Sequence, residues 1–350
     1  MRLAALSAVC VLFACSSDDA STPVAPGTSI DPTKVGTWTW IEVPGAICRD
    51  GSPAGFGVNV GTASKMMIYL EGGGACFNEI TCASNPSKVS ARSATRGILD
   101  REPAENPVRD WTHVYVPYCT GDVHAGNNPD GNVPGVGPQR FVGYANMGLF
   151  LAKLAATFPA TSRVLLTGVS AGGFGSAANY GQVVRAFPSV PVNLVDDAGP
   201  SMREPPLARC LQDRWTELFK LDTTVLAECG ADCTGQPSPL FAATVHWTKL
   251  RPRDAQGLVS TTGDDTIRSF FGFGANGCTS YAQVTEADYA AGLADIRAQH
   301  TSPNFGTLVY GGTTHTILGG AGFYSTDPAR PFTSWVRAIV ESDTVTNVGP

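Results

Sequence analysis

The sequence predicts an α/β fold with a mostly parallel central sheet covered by helices on both faces. Apolar runs rich in β-branched residues recur along the chain, and they are continuous rather than alternating, which is typical of strands buried on both faces. Longer stretches of helical character separate these runs, and such alternation favours a parallel sheet with right-handed crossovers. With 350 residues, 43% of them hydrophobic, the chain is long and apolar enough to bury one large core.

The elements of this fold follow in order along the chain. The predicted strands are residues 65–70, 113–116, 163–167, 192–195, 257–262 and 307–310, and the predicted helices are residues 144–157, 174–187, 287–299 and 333–341. No internal repeat and no clear boundary interrupts them, so residues 35–350 are predicted to form a single domain. The segment 203–247, which holds three cysteines, is predicted to be a cap or an insertion near a functional site.

The first residues are typical of an export signal. Arg2 precedes a short apolar run that cannot span a bilayer, and the run ends in the letters LFAC at residues 12–15, similar to a bacterial lipobox. Residues 1–14 are therefore predicted to be a lipoprotein signal peptide, with Cys15 as the lipid attachment site; an ordinary cleaved signal peptide is the alternative. Residues 15–34 have no apolar periodicity and are predicted to be a disordered tether. The protein is expected to be exported, and either lipid-anchored to the bacterial cell envelope or released.

Composition limits the partners and cofactors. A formal net charge of −6 and a pI near 5.4 argue against nucleic acid as a partner, because no excess of basic residues is available for phosphates. Eight cysteines lie beyond the N-terminal segment, an even number that predicts up to four disulfides of unspecified pairing in an exported protein. They are Cys48, Cys76, Cys82, Cys119, Cys210, Cys229, Cys233 and Cys278. The Cys229/Cys233 spacing could be half of a metal site, but nothing in the sequence completes it, so we predict no metal and no organic cofactor.

The strongest chemical signal is GVSAG at residues 168–172, between a predicted strand and a predicted helix. A serine hydroxyl is a weak nucleophile until a sharp turn holds it beside a base, and glycines on both sides permit that turn. The motif predicts that Ser170 is the nucleophile of a serine esterase in an α/β-hydrolase-like catalytic domain. The alternative is a serine that only caps a helix in a glycine turn.

An acyl-transfer site also needs donors for an oxyanion. The sequence EGGG at residues 71–74 follows the strand 65–70, upstream of the serine, as the oxyanion loop does in α/β-hydrolases. Gly73, Gly74 and Ala171 are the predicted N–H donors. A phosphate-binding loop is the alternative, but it needs a lysine and a serine or threonine after the glycines, and Ala-Cys-Phe follows here.

His315 is the predicted base. The order in α/β-hydrolases is serine, acid, histidine, and three histidines follow Ser170. His315 lies in a glycine-rich loop just beyond the last predicted strand, whereas His300 is expected in solvent at a helix end and His246 in packing.

The acid is expected on a loop after a late strand. Asp264 and Asp265 follow the strand 257–262, and we favour Asp264, with Asp265 as the alternative acid. Asp196 and Asp197 also end a strand, but they come one strand too early for the common arrangement. They are therefore predicted to shape the site rather than to act as the acid.

Several of these segments together resemble the pectin acetylesterase family, which includes the Notum-type carboxylesterases. The resemblance is carried by LEGGGAC at residues 70–76, PYCTGDVHAG at 117–126, the elbow at 168–173 and DAG at 197–199. It identifies the chain as a bacterial lipoprotein member of that family, with Asp264 and His315 where the family's acid and base lie. It implies hydrolysis of a carboxylic ester, with removal of acetyl or short acyl groups from a polysaccharide such as pectin.

Two departures from the family pattern bear on the substrate. The family commonly has a tryptophan beside the glycines, where this chain has Gly74-Ala75, and a cysteine before the serine, where this chain has Val169. The first change reshapes the acyl region. His124 and Asp197 are candidate pocket residues, with a structural role for His124 equally open. A lipid or polyester hydrolase of the same fold, and a non-catalytic glycan-binding surface lipoprotein, are the alternative functions.

Overall fold

The computed structural model describes residues 27–31 and 34–350 and is built on a central sheet. Its strands are β1 (Trp38–Ile47), β2 (Pro53–Asn59), β3 (Lys65–Leu70), β4 (Thr112–Val116), β5 (Asn128–Val133), β6 (Gly137–Phe141), β7 (Arg163–Val169), β8 (Val192–Asp197), β9 (Gln256–Thr261) and β10 (Phe305–Tyr310). Eight of them form one sheet in the order β1-β2-β4-β3-β7-β8-β9-β10, and β5 and β6 pair separately. Neighbouring strands are parallel throughout β4-β3-β7-β8-β9-β10. The pairs β1–β2 and β2–β4 are antiparallel. The predicted fold class is therefore confirmed.

Ten α-helices accompany these strands in the described residues. They are α1 (Glu79–Ala83), α2 (Gly143–Thr157), α3 (Ala171–Ala186), α4 (Arg209–Phe219), α5 (Val225–Cys229), α6 (Pro239–Leu250), α7 (Asp265–Phe271), α8 (Ala275–Cys278), α9 (Glu286–Gln299) and α10 (Phe332–Ser342). No helix of the described residues is both long and apolar enough to cross a membrane.

Both faces of the sheet are covered, which is why its strands are continuously apolar. On one face, Phe150 of α2 and Val183 of α3 join the cluster of buried side chains that contains Leu166 of β7. On the other face, α10 contributes Ile339 to the cluster that contains Leu308 of β10. Each parallel strand is thus buried from both sides, as its composition predicts.

The segment predicted as a cap or insertion forms α4, α5 and α6. Leu211, Phe219 and Phe241 from these helices join a third buried cluster that also contains Ala178 of α3 and Ile267 of α7. This segment, called the insertion below, therefore packs in one cluster with α3 and α7, the helices that follow β7 and β9.

All eight cysteines beyond the N-terminal segment are paired. The disulfides are Cys48–Cys119, Cys76–Cys82, Cys210–Cys278 and Cys229–Cys233. The prediction of disulfides is confirmed, and Cys229 and Cys233 pair with each other. Cys210–Cys278 ties the insertion to the segment after β9, and Cys76–Cys82 closes the loop that follows the glycine segment.

The predicted signal peptide and Cys15 lie outside the described residues. The described end of the predicted tether packs against α2, where Gly27 N–H donates to the Ala152 carbonyl and Ile30 N–H donates to Thr157 Oγ1. The packed part of the chain therefore begins before the predicted boundary at residue 35.

Candidate active site

Ser170 lies on a sharp turn between β7 and α3. Its backbone is in an unusual region for a residue with a side chain, with φ 58° and ψ −121°. A Cβ at Gly168 would lie 2.2 Å from the Gly172 carbonyl oxygen, and a Cβ at Gly172 would lie 2.0 Å from that of Leu70. Both glycines are therefore required for the close approach of β7, α3 and the end of β3. This geometry is a strained strand–turn–helix of the kind that presents a serine hydroxyl at a sheet edge.

The glycine segment runs past this turn with its carbonyl groups fixed. Asn85 Nδ2 donates to the Gly73 carbonyl at 2.7 Å, and Tyr118 Oη donates to that of Gly74 at 2.8 Å. Gly74 has φ 78°, and a Cβ there would lie 2.8 Å from the Phe270 ring. Among the described residues, the N–H groups of Gly73, Gly74 and Ala171 have no hydrogen-bond acceptor. Ala171 is the first residue of α3, where unpaired N–H groups favour an anion.

His315 and Asp264 are hydrogen-bonded. His315 Nδ1 lies 2.8 Å from Asp264 Oδ2 and 3.0 Å from Oδ1, and Asp264 is fully buried. Asp264 also caps α7, where its Oδ1 accepts from Ile267 N–H at 2.9 Å, so the carboxylate is held from two sides. Asp265 instead pairs with Arg268 at 3.0 Å and its side chain is mostly exposed. Of the two predicted acids, the structure brings only Asp264 to His315.

The other ring nitrogen of His315 is unsatisfied. Nε2 is buried and has no partner among the described residues, and no hydrogen bond joins it to Ser170 Oγ. The loop that carries His315 nevertheless lies against the serine turn, because a Cβ at Gly319 would lie 3.9 Å from a Val169 methyl group. Hydrogen bonds between a base and its nucleophile are often long before substrate binds, so this geometry is compatible with a base at His315.

Asp197 connects the serine turn to the histidine loop. Its carbonyl accepts from Ser170 N–H at 2.8 Å, and its Oδ2 accepts from Ile317 N–H at 2.6 Å and from Leu318 N–H at 2.7 Å. Burial raises the pKa of this carboxyl to about 6, although the two N–H donors and the nearby His315 favour its ionised form. Asp197 therefore contacts both the serine turn and the histidine loop, which is consistent with its predicted site-shaping role.

His124 faces the glycine segment rather than the cavity beside Ser170. Its Nε2 lies 2.9 Å from the Glu71 carbonyl, and its ring contacts Tyr118 with the centroids 4.7 Å apart. Burial lowers the pKa of His124 to about 4, so the ring is neutral at neutral pH and its Nε2 donates to that carbonyl. Glu71 accepts from Tyr118 N–H, which fixes the start of the glycine segment. Of the two roles left open for His124, the structure supports the structural one.

An apolar cavity begins at Ser170 and runs between α3 and the insertion. It encloses about 760 Å³ of space between atoms, counted to its open mouth. Gly74, Ala75 and Ala171 lie at the serine end, and small or apolar side chains continue the wall. These are Val123, Ala125, Phe174, Ala177, Ala178, Trp215, Phe219, Leu221, Val225, Leu240, Ala243, Ile267, Phe270 and Phe271, with Ser201 and Thr244 as the polar members besides Ser170.

Sequence reasoning did not find this cavity, and one histidine was placed wrongly. His300 is buried, with 8% of its surface exposed, and stacks on Phe305 with the centroids 3.7 Å apart. The expectation that it lies in solvent is wrong because α9 ends over the insertion helix α6, where Thr244 Oγ1 lies 3.1 Å from its Nε2. His246 lies 2.8 Å from Asp232, on the outer side of α6.

Comparisons with known proteins bear on the family and on the fold of this chain. The family model described as Pectinacetylesterase matches residues 33–242, which include the glycine segment and the serine turn but end before Asp264 and His315. The mouse palmitoleoyl-protein carboxylesterase NOTUM is 31% identical over 176 residues, which are 43% of this chain and 33% of the mouse protein. Zebrafish palmitoleoyl-protein carboxylesterase notum1a is 33% identical over 165 residues, 41% of this chain and 31% of that protein. The chain thus spans about a third of the length of the curated relatives it matches.

A solved structure shares the fold over nearly the whole chain. The crystal structure of the Wnt deacylase Notum from Drosophila superposes with a TM-score of 0.66, covering 88% of this chain and 94% of that one at 19% identity. This likeness covers more of the chain than the family model does, and at this identity it concerns the fold alone.

Proposed function

Because the chain belongs to the pectinacetylesterase family, we propose that it is a carboxylic ester hydrolase with Ser170 as nucleophile, His315 as base and Asp264 as acid. The observation that carries this proposal is the state of the His315 ring: Nδ1 is held by a buried carboxylate, and Nε2 is unpaired. The loop that carries the ring contacts the serine turn at Gly319. A ring held in this way has its free nitrogen available for a proton from a hydroxyl.

The proposed reaction has two halves. His315 Nε2 takes the Ser170 proton while Oγ attacks the ester carbonyl, and the resulting oxyanion accepts from the N–H groups of Gly73, Gly74 and Ala171. His315 then gives the proton to the leaving alcohol, which leaves an acyl group on Ser170. Water, activated by the same ring, attacks this acyl-enzyme and releases the carboxylic acid and the free serine.

The cavity bears on the acyl part of the substrate. Its walls are almost wholly apolar, and it extends from Ser170 well beyond the reach of an acetyl group. This observation favours the lipid- or polyester-hydrolase alternative over removal of acetyl groups from a polysaccharide. The mouse and zebrafish relatives are named palmitoleoyl-protein carboxylesterases, and the palmitoleoyl group in that name is a long acyl chain.

The proposed reaction is tested by replacing Ser170 and measuring both ester turnover and covalent labelling of the serine. Ser170→Ala should lower turnover of p-nitrophenyl butyrate by at least about 1,000-fold and abolish labelling by a fluorophosphonate probe. Ser334→Ala, at an exposed serine on α10, is the matched control and should keep both. An unlabelled wild-type Ser170 would favour the non-catalytic glycan-binding alternative.

The test of the substrate is a chain-length series of p-nitrophenyl esters from acetate to palmitate. A rise of kcat/KM toward medium or long chains is expected from the apolar cavity, because each buried methylene adds about 0.8 kcal/mol. A sharp optimum at acetate would restore deacetylation of a polysaccharide as the better assignment.

Export is supported by the four disulfides, since such bonds persist in oxidising compartments. Lipid attachment at Cys15, and with it anchoring to the cell envelope, is part of the proposal. Cys15→Ala should move the protein from the membrane fraction to the soluble fraction when bacteria that express the full chain are fractionated.

A further inference from the structure

A second, smaller chamber adjoins the inner end of the apolar cavity. The two share Ala177, Ser201 and Thr244 as wall residues, and the chamber encloses about 370 Å³ of space between atoms, counted to its openings. Unlike the cavity, it has three buried side chains with strong polar groups in its wall, Asp196, Gln256 and His300, which are 6%, 2% and 8% exposed. Buried polar side chains beside an apolar cavity are not required for holding a plain hydrocarbon chain.

Two polar atoms of residues in the chamber wall are unsatisfied. Gln256 Nε2 and His300 Nδ1 are buried and have no partner among the described residues. An unpaired buried polar group is costly in a folded protein, so such groups are uncommon unless a ligand or a water completes them.

The hydrogen-bond network fixes what each atom can do. Thr244 Oγ1 donates its only hydrogen to the Phe241 carbonyl, so it must accept from His300 Nε2, which leaves His300 Nδ1 as an acceptor. Gln256 Nε2 is a donor by its chemistry. The chamber therefore offers one free donor and one free acceptor, and a hydroxyl is the smallest carbon-borne group that can both donate and accept.

The charge of the chamber excludes an anionic end group. Burial lowers the pKa of His300 to about 3, which leaves its ring neutral, and burial raises the pKa of Asp196 to about 8, which keeps that carboxyl protonated at neutral pH. No lysine or arginine lies in the described wall of the chamber. A carboxylate would thus meet no opposite charge, whereas a neutral oxygen function meets polar partners.

The distance from Ser170 defines the chain length. Ala177 lies seven positions after Ser170 along α3, which is about 10 Å of helix and roughly the length of an eight- to ten-carbon chain.

We propose that the chamber binds a hydroxyl group at the far end of the acyl chain, so that the preferred substrates are esters of medium-chain hydroxy acids. The inference rests on the proposed function, because it places the acyl chain of the ester in the cavity. Gln256 donates a hydrogen bond to the hydroxyl oxygen, and the hydroxyl donates one to His300 Nδ1 or to a carboxyl oxygen of Asp196.

The test compares p-nitrophenyl esters of octanoate, decanoate and dodecanoate with their ω-hydroxy counterparts. For the wild type, kcat/KM should be about tenfold higher for the hydroxy ester at one of these lengths, as one hydrogen bond to an otherwise unpaired group provides. A preference below about twofold at every length would overturn the proposal and indicate a chamber that holds water only. In that case Ser170-dependent hydrolysis of the plain esters would leave the proposed esterase function standing.

A pair of variants tests whether Gln256 is the donor. Gln256→Met keeps the length of the side chain and removes the donor, and the ratio of hydroxy to plain ester should fall to near one. Gln236→Met makes the same change in an exposed loop and should keep the wild-type ratio. If Gln256→Met fails to fold, His300→Phe removes the acceptor instead and should lower the same ratio. An unchanged ratio in the folded variant would overturn the assignment of these residues.

Discussion

The two sides of the candidate site are built in opposite ways. At the carboxyl ends of the parallel strands, buried carboxylates position the chain through hydrogen bonds. Asp264 holds the His315 ring, and Asp197 holds the backbone N–H groups of Ile317 and Leu318. Across the serine, the wall of the cavity is formed by small and apolar side chains of α3 and the insertion. The first side requires fixed directions, because a proton must pass between particular atoms. The second requires only space and low polarity.

This difference predicts how each side responds to change. In the proposed reaction, the hydrogen bonds of the polar side act on the reacting groups, so loss of one of them should cost orders of magnitude in rate. The apolar side acts through volume, so its changes should alter which ester is preferred. Variants in each region therefore test whether the two sides respond in these different ways.

The largest effect is expected at Asp264. Asp264→Asn keeps the shape of the side chain but presents an amide to His315, which favours the wrong tautomer of the ring. We expect kcat to fall by about 10,000-fold, the size of loss known for the equivalent change in a Ser-His-Asp triad. The measurement is turnover of p-nitrophenyl butyrate.

Asp265→Asn is the matched control for this prediction. Its carboxylate contacts Arg268 at the surface and not His315, so the variant should retain activity to within about threefold. Equal losses in the two variants would contradict a special role for Asp264.

The polar side could largely be predicted from the sequence. Ser170, Asp264 and His315 each follow a strand whose continuous apolar letters identify it, and the carboxyl ends of parallel strands meet at one edge. The hairpin of β1 and β2 was missed, since Gly55 and Gly57 interrupt the β-branched pattern there. These glycines are needed for close approach, because a Cβ at Gly57 would lie 2.2 Å from the Arg92 carbonyl oxygen.

The apolar side could not be predicted in this way. Its wall combines residues as far apart as Ala75 and Phe271, and whether an alanine of α6 faces the cavity depends on how that helix packs on α3. Sequence identifies such residues as apolar but not as a wall around empty space. The hydrogen bonds of Asp197 to Ile317 and Leu318 were hidden for the same reason, since they join β8 to a loop more than a hundred residues later.

A change in the apolar wall should alter chain-length preference. Ala243→Leu fills part of the cavity from α6, so kcat/KM for p-nitrophenyl decanoate should fall at least about tenfold further than that for the butyrate. Ala242→Leu, the neighbouring change outside the cavity wall, should keep the wild-type ratio. A uniform loss on all esters in Ala243→Leu would instead indicate a general packing defect, typically about 1–3 kcal/mol for an overfilled core.

A smaller, pH-dependent effect is expected at Asp197. Asp197→Asn removes the negative charge that holds the Ile317 and Leu318 N–H groups, and we expect kcat/KM to fall by about tenfold at pH 8. Since the wild-type carboxyl has a pKa of about 6, it loses the same charge as the pH falls through that value. The ratio of wild-type to variant activity should therefore be largest above pH 6 and approach one near pH 5. A ratio that does not vary with pH would show that the charge of Asp197 has no part in positioning the loop.

An effect on stability rather than on activity is expected from Asp196, a buried carboxyl one residue away. Burial raises its pKa to about 8 in the folded chain, so between about pH 4 and pH 8 the folded state keeps a proton that the unfolded chain has lost. The wild type should therefore lose up to about 1.4 kcal/mol of unfolding free energy per pH unit from this group as the pH rises. Asp196→Asn retains the oxygen that accepts from Gly199 N–H but has no proton to lose, so in urea unfolding at pH 5 and pH 7.5 it should gain stability relative to the wild type at the higher pH. Gln236→Met, which changes no ionisable group, should differ from the wild type by the same amount at both pH values. If Asp196→Asn behaves like this control, the carboxyl is ionised in the folded protein and the polar side carries more buried charge than its contacts indicate.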